Sequence, residues 1–234
     1  MQDIIAEKLT GFDYVVMLFY FVGIMAAFLI GIFKICTRRS PMYFKLIIYA
    51  VGCRALEALA SFVDCICTGY VVYFRVSNLS LVAYSLFIIS ANVGALDKFL
   101  DEGSSKNLKA RLLAFIAPVA LSAIYAVFHV IAYNDVGAFS LLSLGFYIEF
   151  LPIPVGSYFC MKQLLMPPDS IGFLKTTRYV NIFILVQLFI EALSNYSVLI
   201  SGTATSVCAV LSVSSFFGIV FAVIKGEKIW KTLV

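Results

Sequence analysis

Seven long apolar windows constrain this chain more than any other feature of its sequence. Each has about 20 predominantly apolar residues, enough to cross the hydrocarbon core of a membrane as a helix. A helix satisfies its own backbone N–H and C=O groups, which find no water inside a bilayer. We therefore predict an all-α integral membrane protein, a bundle of seven transmembrane helices. The predicted spans are residues 14–36, 43–67, 79–99, 111–133, 138–162, 177–200 and 204–226.

The composition agrees with a chain that forms a membrane domain along its whole length. Of its 234 residues, 62% are hydrophobic and 13% are charged, whereas a soluble domain is about 25% charged. The connections between windows are too short to fold separately, so we predict a single multi-pass domain over residues 1–234. The net charge of +4 does not indicate a nucleic-acid partner, because the cations follow membrane topology. The expected surroundings are a lipid bilayer.

The distribution of lysine and arginine predicts the orientation. If the N-terminus lies outside, all 17 lysine and arginine residues fall on the inner side except Lys8, Arg54 and Arg75. Cytoplasmic connections are enriched in these residues. We therefore predict an extracytoplasmic N-terminus and a cytoplasmic C-terminus.

Short similarities suggest an internal repeat. The second window reads ALEALASF around Glu57, and the sixth reads FIEALSNY around Glu191. These matches predict two parallel repeats, residues 11–100 and 138–230, joined by a linker helix at 111–133. The alternative is chance recurrence of residues that are common in membrane helices. This layout of three, one and three helices resembles that of sugar-efflux and PQ-loop transporters, although the chain has no Pro-Gln pair. In helix number it also resembles rhodopsin-type receptors.

The second window carries charges where water is scarce. Steps of three and four residues place Arg54, Glu57, Ser61 and Asp64 on one helical face. Ionisable side chains within a span rarely face lipid and tend to mark substrate or ion pathways. We expect Arg54 to pair with Glu57 and to orient substrate or gate access.

Further polar residues occur near the middle of other windows. We predict a ligand or proton cavity lined by Arg54, Glu57, Asp64, Asn92, Glu149, Gln187, Glu191 and Asn195. Glu149 and Glu191 have no obvious cation at their depth, so we expect them to bind protons or a substrate cation. The alternative is a polar network that only packs the helices together.

Two prolines interrupt the fifth window. Pro152 and Pro154 remove backbone donors, so the helix should kink or open beside Glu149. We predict a hinge there. A static kink that helps pack the bundle is the alternative.

The sequence contains no zinc-binding HExxH, GxSxG or phosphate-binding glycine motif. We therefore predict no metal ligands, no cofactor and no enzyme activity. The leading interpretation is a transporter of a small solute or amphiphile, coupled to protons. The alternatives are a seven-helix receptor that signals to a cytoplasmic partner, and an accessory subunit of a larger membrane complex. A second copy of the chain or another membrane protein is a further candidate partner.

Overall fold

The computed structural model describes residues 11–36, 40–68, 76–94, 108–136, 148, 150–165, 172–200 and 202–233. Within these ranges 97% of the residues are helical and none is in a strand. The predicted all-α class is therefore confirmed for the described part of the chain.

Eight α-helices account for most of the described residues. They are α1 (Gly11–Gly31), α2 (Met42–Thr68), α3 (Val76–Asn92), α4 (Leu108–Leu113), α5 (Ile116–Val136), α6 (Pro152–Leu165), α7 (Gly172–Ile200) and α8 (Gly202–Leu233). A π-helical turn, Ile32–Cys36, continues α1. Because the long helices alternate in direction, we call the two ends of the bundle the Met42 end and the Thr68 end.

Within the described ranges, five helical segments are long and apolar enough to cross a membrane. They are Gly11–Cys36, Met42–Cys67, Leu108–Phe128, Thr176–Ser194 and Thr203–Thr232. The predicted count of seven is not confirmed, because the apolar part of α3, Leu79–Asn92, is shorter. The first half of the predicted fifth span, residues 138–147, lies outside the described residues.

Prolines set two helix boundaries. The predicted linker helix begins earlier than expected, at Leu108, and a turn at Ala114 and Phe115 divides it. The cause is Pro118, which has no N–H to donate to the carbonyl of Ala114. A turn at Leu151 likewise precedes Pro152, where α6 begins. Proline is tolerated in the first turn of a helix, where no intrahelical donor is required.

Six of the helices pack in a closed ring. Along the ring, α1 contacts α2, α2 contacts α3, α3 contacts α6, α6 contacts α7, α7 contacts α8, and α8 returns to α1. The segment formed by α4 and α5 packs against α6, and α5 also contacts α7. Buried aliphatic and aromatic side chains fill the interior of this ring.

Glycines allow the closest helix approaches. A Cβ atom at Gly218 of α8 would lie 2.5 Å from the ring of Phe183 on α7. A Cβ atom at Gly226 would lie 2.6 Å from the backbone carbonyl of Thr176, also on α7. Small residues let helix backbones approach in membranes, where packing replaces much of the hydrophobic driving force. The two glycines therefore fix α8 closely against α7.

Candidate functional site

The side chain of Arg54 lies at the centre of a buried polar group that we call the charge cluster. Its Nη2 atom donates to Glu191 Oε2 on α7 at 2.7 Å and to the Tyr20 hydroxyl on α1 at 3.1 Å. Its Nη1 atom lies 3.1 Å from Glu57 Oε2, one turn along α2. This last contact is the pair expected from the sequence spacing. One guanidinium thus joins three helices of the ring.

Gln187 extends the group to a fourth helix. Its Nε2 atom donates to Glu191 Oε1 and, at 2.7 Å, to Ser212 Oγ on α8. The charge cluster therefore connects α1, α2, α7 and α8. Its members are Tyr20, Arg54, Glu57, Gln187, Glu191 and Ser212.

The environment of Glu191 corrects one expectation from the sequence. Glu191 was expected to have no cation at its depth, but its carboxylate accepts a charged hydrogen bond from Arg54. Spacing within one window predicts contacts on the same helix, whereas this contact depends on which helices face each other across the ring. The absence of a cation therefore no longer argues for a proton on Glu191.

The charge cluster contains both signs of charge. Among its described contacts, two carboxyl groups, Glu57 and Glu191, share the guanidinium of Arg54. Arg54 is 5% exposed and Glu191 is 3% exposed, so both are removed from solvent. Burying charges in an apolar environment is costly unless they are paired.

A polar stripe on α2 leads from the charge cluster towards the Thr68 end. Ser61 Oγ donates to Glu57 Oε1 at 3.3 Å, and Asp64 follows one turn later. Glu57, Ser61 and Asp64 are all partly exposed, unlike Arg54. Asp64 is four residues from the end of α2, about 6 Å along the axis. The stripe therefore connects the buried cluster with one end of the bundle.

A second polar group, which we call the amide belt, crosses the ring nearer the Met42 end. The Tyr43 hydroxyl on α2 donates to Asn181 Oδ1 on α7 at 3.3 Å. Asn181 Nδ2 donates to Gln163 Oε1 on α6 at 2.6 Å. Gln163 Nε2 then donates to the backbone carbonyl of Asn92 on α3 at 3.2 Å. These four residues join four helices without a formal charge.

An apolar layer separates the charge cluster from the amide belt. Arg54 lies eleven residues after Tyr43, and Glu191 lies ten residues after Asn181, so the two levels are about 15 Å apart. Apolar side chains that are buried from solvent occupy the intervening turns. They include Ile47, Val51, Ile88, Ile184 and Phe216. The ring is therefore closed at this level in the conformation described.

The structure divides the predicted site residues between these levels. Arg54, Glu57, Gln187 and Glu191 come together in the charge cluster. Asp64 lies two turns from Glu57 on the polar stripe. Asn92 belongs to the amide belt, and its Nδ2 atom donates to the carbonyl of Ile88 at 3.0 Å and to Cys160 Sγ at 3.5 Å. Glu149 and the side chain of Asn195 lie outside what the structure describes.

Sequence reasoning missed several residues that contact the predicted ones. Asn181 and Gln163 could have been found, since each is an uncharged polar residue in or beside a predicted span. Tyr20 and Tyr43 gave no comparable signal. The chain has 13 tyrosines, and tyrosine is frequent at membrane interfaces, so only tertiary contacts distinguish these two.

Some buried polar atoms near the charge cluster have no hydrogen-bond partner within the described residues. Gln187 Oε1 and the Tyr84 hydroxyl are among them. Tyr84, on α3, is 1% exposed and close enough to Glu191 and Arg54 to interact with them electrostatically. Buried polar atoms are normally hydrogen-bonded. These two leave hydrogen-bonding capacity for water or a small polar ligand.

The described residues contain no group of three or more histidine, cysteine, aspartate and glutamate side chains arranged to hold a metal ion. Comparison of the chain with protein families, with characterised proteins and with solved structures gives no match. The geometry of the charge cluster is therefore the basis for inferring the function.

Proposed function

We propose that this protein transports a small solute or amphiphile across a membrane and couples that movement to a proton. In this proposal the chain spans the membrane seven times, with the N-terminus outside and the C-terminus in the cytoplasm. One half of the transporter is α1–α3 and the other is α6–α8. The segment formed by α4 and α5 links the two halves.

The order of helices around the ring is compatible with two related halves. The six helices follow chain order, so α1–α3 form one side of the ring and α6–α8 the other. Parallel repeats related by an axis along the membrane normal would occupy such positions. Glu57 and Glu191 then occupy corresponding helices, and both approach the guanidinium of Arg54.

The burial of the Arg54–Glu191 ion pair at the centre of the ring is the observation that carries the proposal. Helices that need only to be held together can use neutral hydrogen bonds, as the amide belt does. Removing charges from water adds a desolvation cost that packing does not require. Ionisable groups at this depth mark ion and substrate pathways more often than packing contacts.

The contacts between the halves suggest how transport would proceed. The Arg54–Glu191 pair crosses from α2 to α7, so separation of the halves at this level would lengthen it. A carboxylate released from Arg54 would take up a proton or bind a polar group of the solute. The apolar layer and the amide belt keep the Met42 end closed while the other end is open. The predicted hinge at Pro152 and Pro154 would allow α6 to move.

Alternating access can be tested at Ile184, which is fully buried in the apolar layer. The six native cysteines are replaced by alanine, and Ile184→Cys is introduced on that background. The protein is reconstituted in vesicles of both orientations and treated with a charged, membrane-impermeant thiol reagent. Ile182→Cys is the matched control, because Ile182 lies on the same helix but is 42% exposed on its outer surface. Cys67, retained alone, is the reactive control at the Thr68 end.

A transporter predicts that the thiol at position 184 reacts slowly from both sides, whereas the lipid-facing thiol at position 182 does not react. Reaction from one side alone would contradict the proposal and favour a receptor with a one-sided ligand site. Absence of reaction from either side, in protein as stable as its parent, would favour an accessory subunit with a static polar core.

A further inference from the structure

The Tyr84 hydroxyl on α3 and the Oε1 atom of Gln187 on α7 are buried polar atoms near Glu191. Neither has a hydrogen-bond partner within the described residues, so they are also not bonded to each other. Gln187 bonds directly to Glu191, and Tyr84 is close enough to Glu191 to interact with it electrostatically. Leaving a buried polar atom without a partner destabilises a fold. The two atoms therefore mark a place where a further polar group can bind.

The orientation of the Gln187 amide is fixed by its neighbours. Its Nε2 atom donates to Glu191 Oε1 and to Ser212 Oγ. A carboxylate oxygen can only accept a hydrogen bond, so the amide nitrogen must face Glu191. Gln187 Oε1 is thereby left as an acceptor that requires a donor. The hydroxyl proton of Tyr84 requires an acceptor.

These requirements define the chemistry of the group that fits. It must donate to Gln187 Oε1 and accept from the Tyr84 hydroxyl. A hydroxyl or a primary carboxamide does both without a charge. A carboxylate has no donor for Gln187 and would lie near the carboxylate of Glu191. An ammonium group has no acceptor for Tyr84.

Unfilled space lies in the same part of the ring, between α3, α6 and α7. Gly156 on α6 is buried, yet a Cβ atom there would come no closer than 3.9 Å to any side chain. The side chains that it would meet include Ile88, one turn from Tyr84 on α3, and Leu188, which follows Gln187 on α7. The glycines that fix α8 against α7 leave no such room. The space beside Gly156 can therefore accept a methyl-sized apolar group.

We propose that an uncharged hydroxyl or carboxamide group of a small solute binds between Tyr84 and Gln187, with its apolar part towards Gly156. Ile88 belongs to the apolar layer, so a solute bound here lies at the level where the ring is closed. The assignment names the class of solute for the proposed function. The place of this solute in a transport cycle rests on that function, whereas its binding does not.

Acetamide is the probe, because it combines a neutral carboxamide with a methyl group. Thermal unfolding of the purified full-length protein in detergent micelles is followed with and without acetamide. We expect near-saturating acetamide to raise the midpoint of unfolding by about 2–4 °C. Acetate has the same shape but no donor, and methylammonium has no acceptor. Neither should raise the midpoint through Tyr84.

Tyr84→Phe removes the hydroxyl and keeps the ring that packs edge-on against Phe216. We expect it to abolish the acetamide shift. Without the probe its midpoint should equal or exceed that of the wild type, because the lost hydroxyl has no partner. Tyr43→Phe is the matched control, since that hydroxyl donates to Asn181. Its midpoint should fall, and its acetamide shift should remain.

Gly156→Ala is an independent variant that decides the question if Tyr84→Phe does not fold. The added methyl group makes ordinary contacts only, so the protein should fold and the acetamide shift should shrink. A shift that survives either change arises elsewhere and overturns the proposal. So does an equal shift with acetate or methylammonium. The absence of any acetamide shift also overturns it, and would mean that water alone satisfies the two polar atoms.

The two proposals can fail separately. A shift that depends on Tyr84, together with an unreactive thiol at position 184, would establish a binding site in a protein that does not alternate. A reactive thiol without the shift would leave transport supported and refute the site between Tyr84 and Gln187.

Discussion

The charge cluster and the amide belt cross the same ring by different chemistry. Both connect α2 with α7, and they lie about 15 Å apart. The belt uses neutral groups, with an uninterrupted donor-to-acceptor sequence from Tyr43 through Asn181 and Gln163 to the carbonyl of Asn92. The cluster uses side chains that can carry charge, namely Arg54, Glu57 and Glu191. One ring can therefore contain a contact that responds to pH beside one that does not.

The charge cluster and the amide belt also differ in how much stability is lost when one of their contacts is removed. Neutral hydrogen bonds between membrane helices contribute about 0.6–2 kcal/mol each, so the amide belt can break and re-form at moderate cost. Removing one partner of a buried ion pair costs more, because the remaining charge is left without compensation. Loss of one member is therefore expected to cost less stability in the amide belt than in the charge cluster.

Arg54→Leu should have the largest effect. It leaves Glu57 and Glu191 buried without the guanidinium that both contact. We expect the free energy of unfolding to fall by about 3–5 kcal/mol, measured by denaturant titration in detergent micelles. Adding Glu57→Gln and Glu191→Gln to the same chain should restore most of the loss. If the triple variant is as unstable as Arg54→Leu, the loss comes from packing instead of charge.

Asn181→Leu should have a smaller effect, although it breaks the amide belt at its centre. It removes a donor to Gln163 and an acceptor from Tyr43, both buried. We expect a loss of about 1–3 kcal/mol, by the same titration. The neighbouring change Ile182→Val, on the exposed face of α7, should stay within about 0.5 kcal/mol. A loss of stability as large as that of Arg54→Leu would contradict the expected difference between the amide belt and the charge cluster.

Tyr43→Phe should have the smallest effect. It removes one hydroxyl that donates to Asn181 at 3.3 Å and preserves the buried ring. We expect a loss of about 0.6 kcal/mol, by the same titration. Tyr20→Phe is the matched variant in the charge cluster, where the hydroxyl accepts from Arg54. Tyr20→Phe should lower the free energy of unfolding by more than Tyr43→Phe does. Equal losses would mean that the charge of Arg54 adds nothing to its hydrogen bond with Tyr20.

Local spacing predicted the contacts that lie within one helix and failed for those between helices. The i, i+3 relation between Arg54 and Glu57 follows from helical geometry alone. The Glu191 contact required knowing that α7 faces α2 across the ring. Pro118 shows the same limit at a helix boundary. Its missing N–H predicts a break in the helix, but hydropathy alone predicts one uninterrupted helix over residues 111–133.

The length of α8 determines where movement of the bundle would be easiest to observe. The helix has 32 residues, about 48 Å, whereas the hydrocarbon core is about 30 Å thick. A tilt of α8 about the level of Ser212 would displace the Leu233 end most, because that end is farthest from Ser212. Glu227 is buried near the Leu233 end. It accepts a hydrogen bond from Ser40, beside the start of α2, and pairs with Lys231. A pair of spectroscopic probes near Ser40 and Lys231 would therefore report small rotations of the core as large changes in separation.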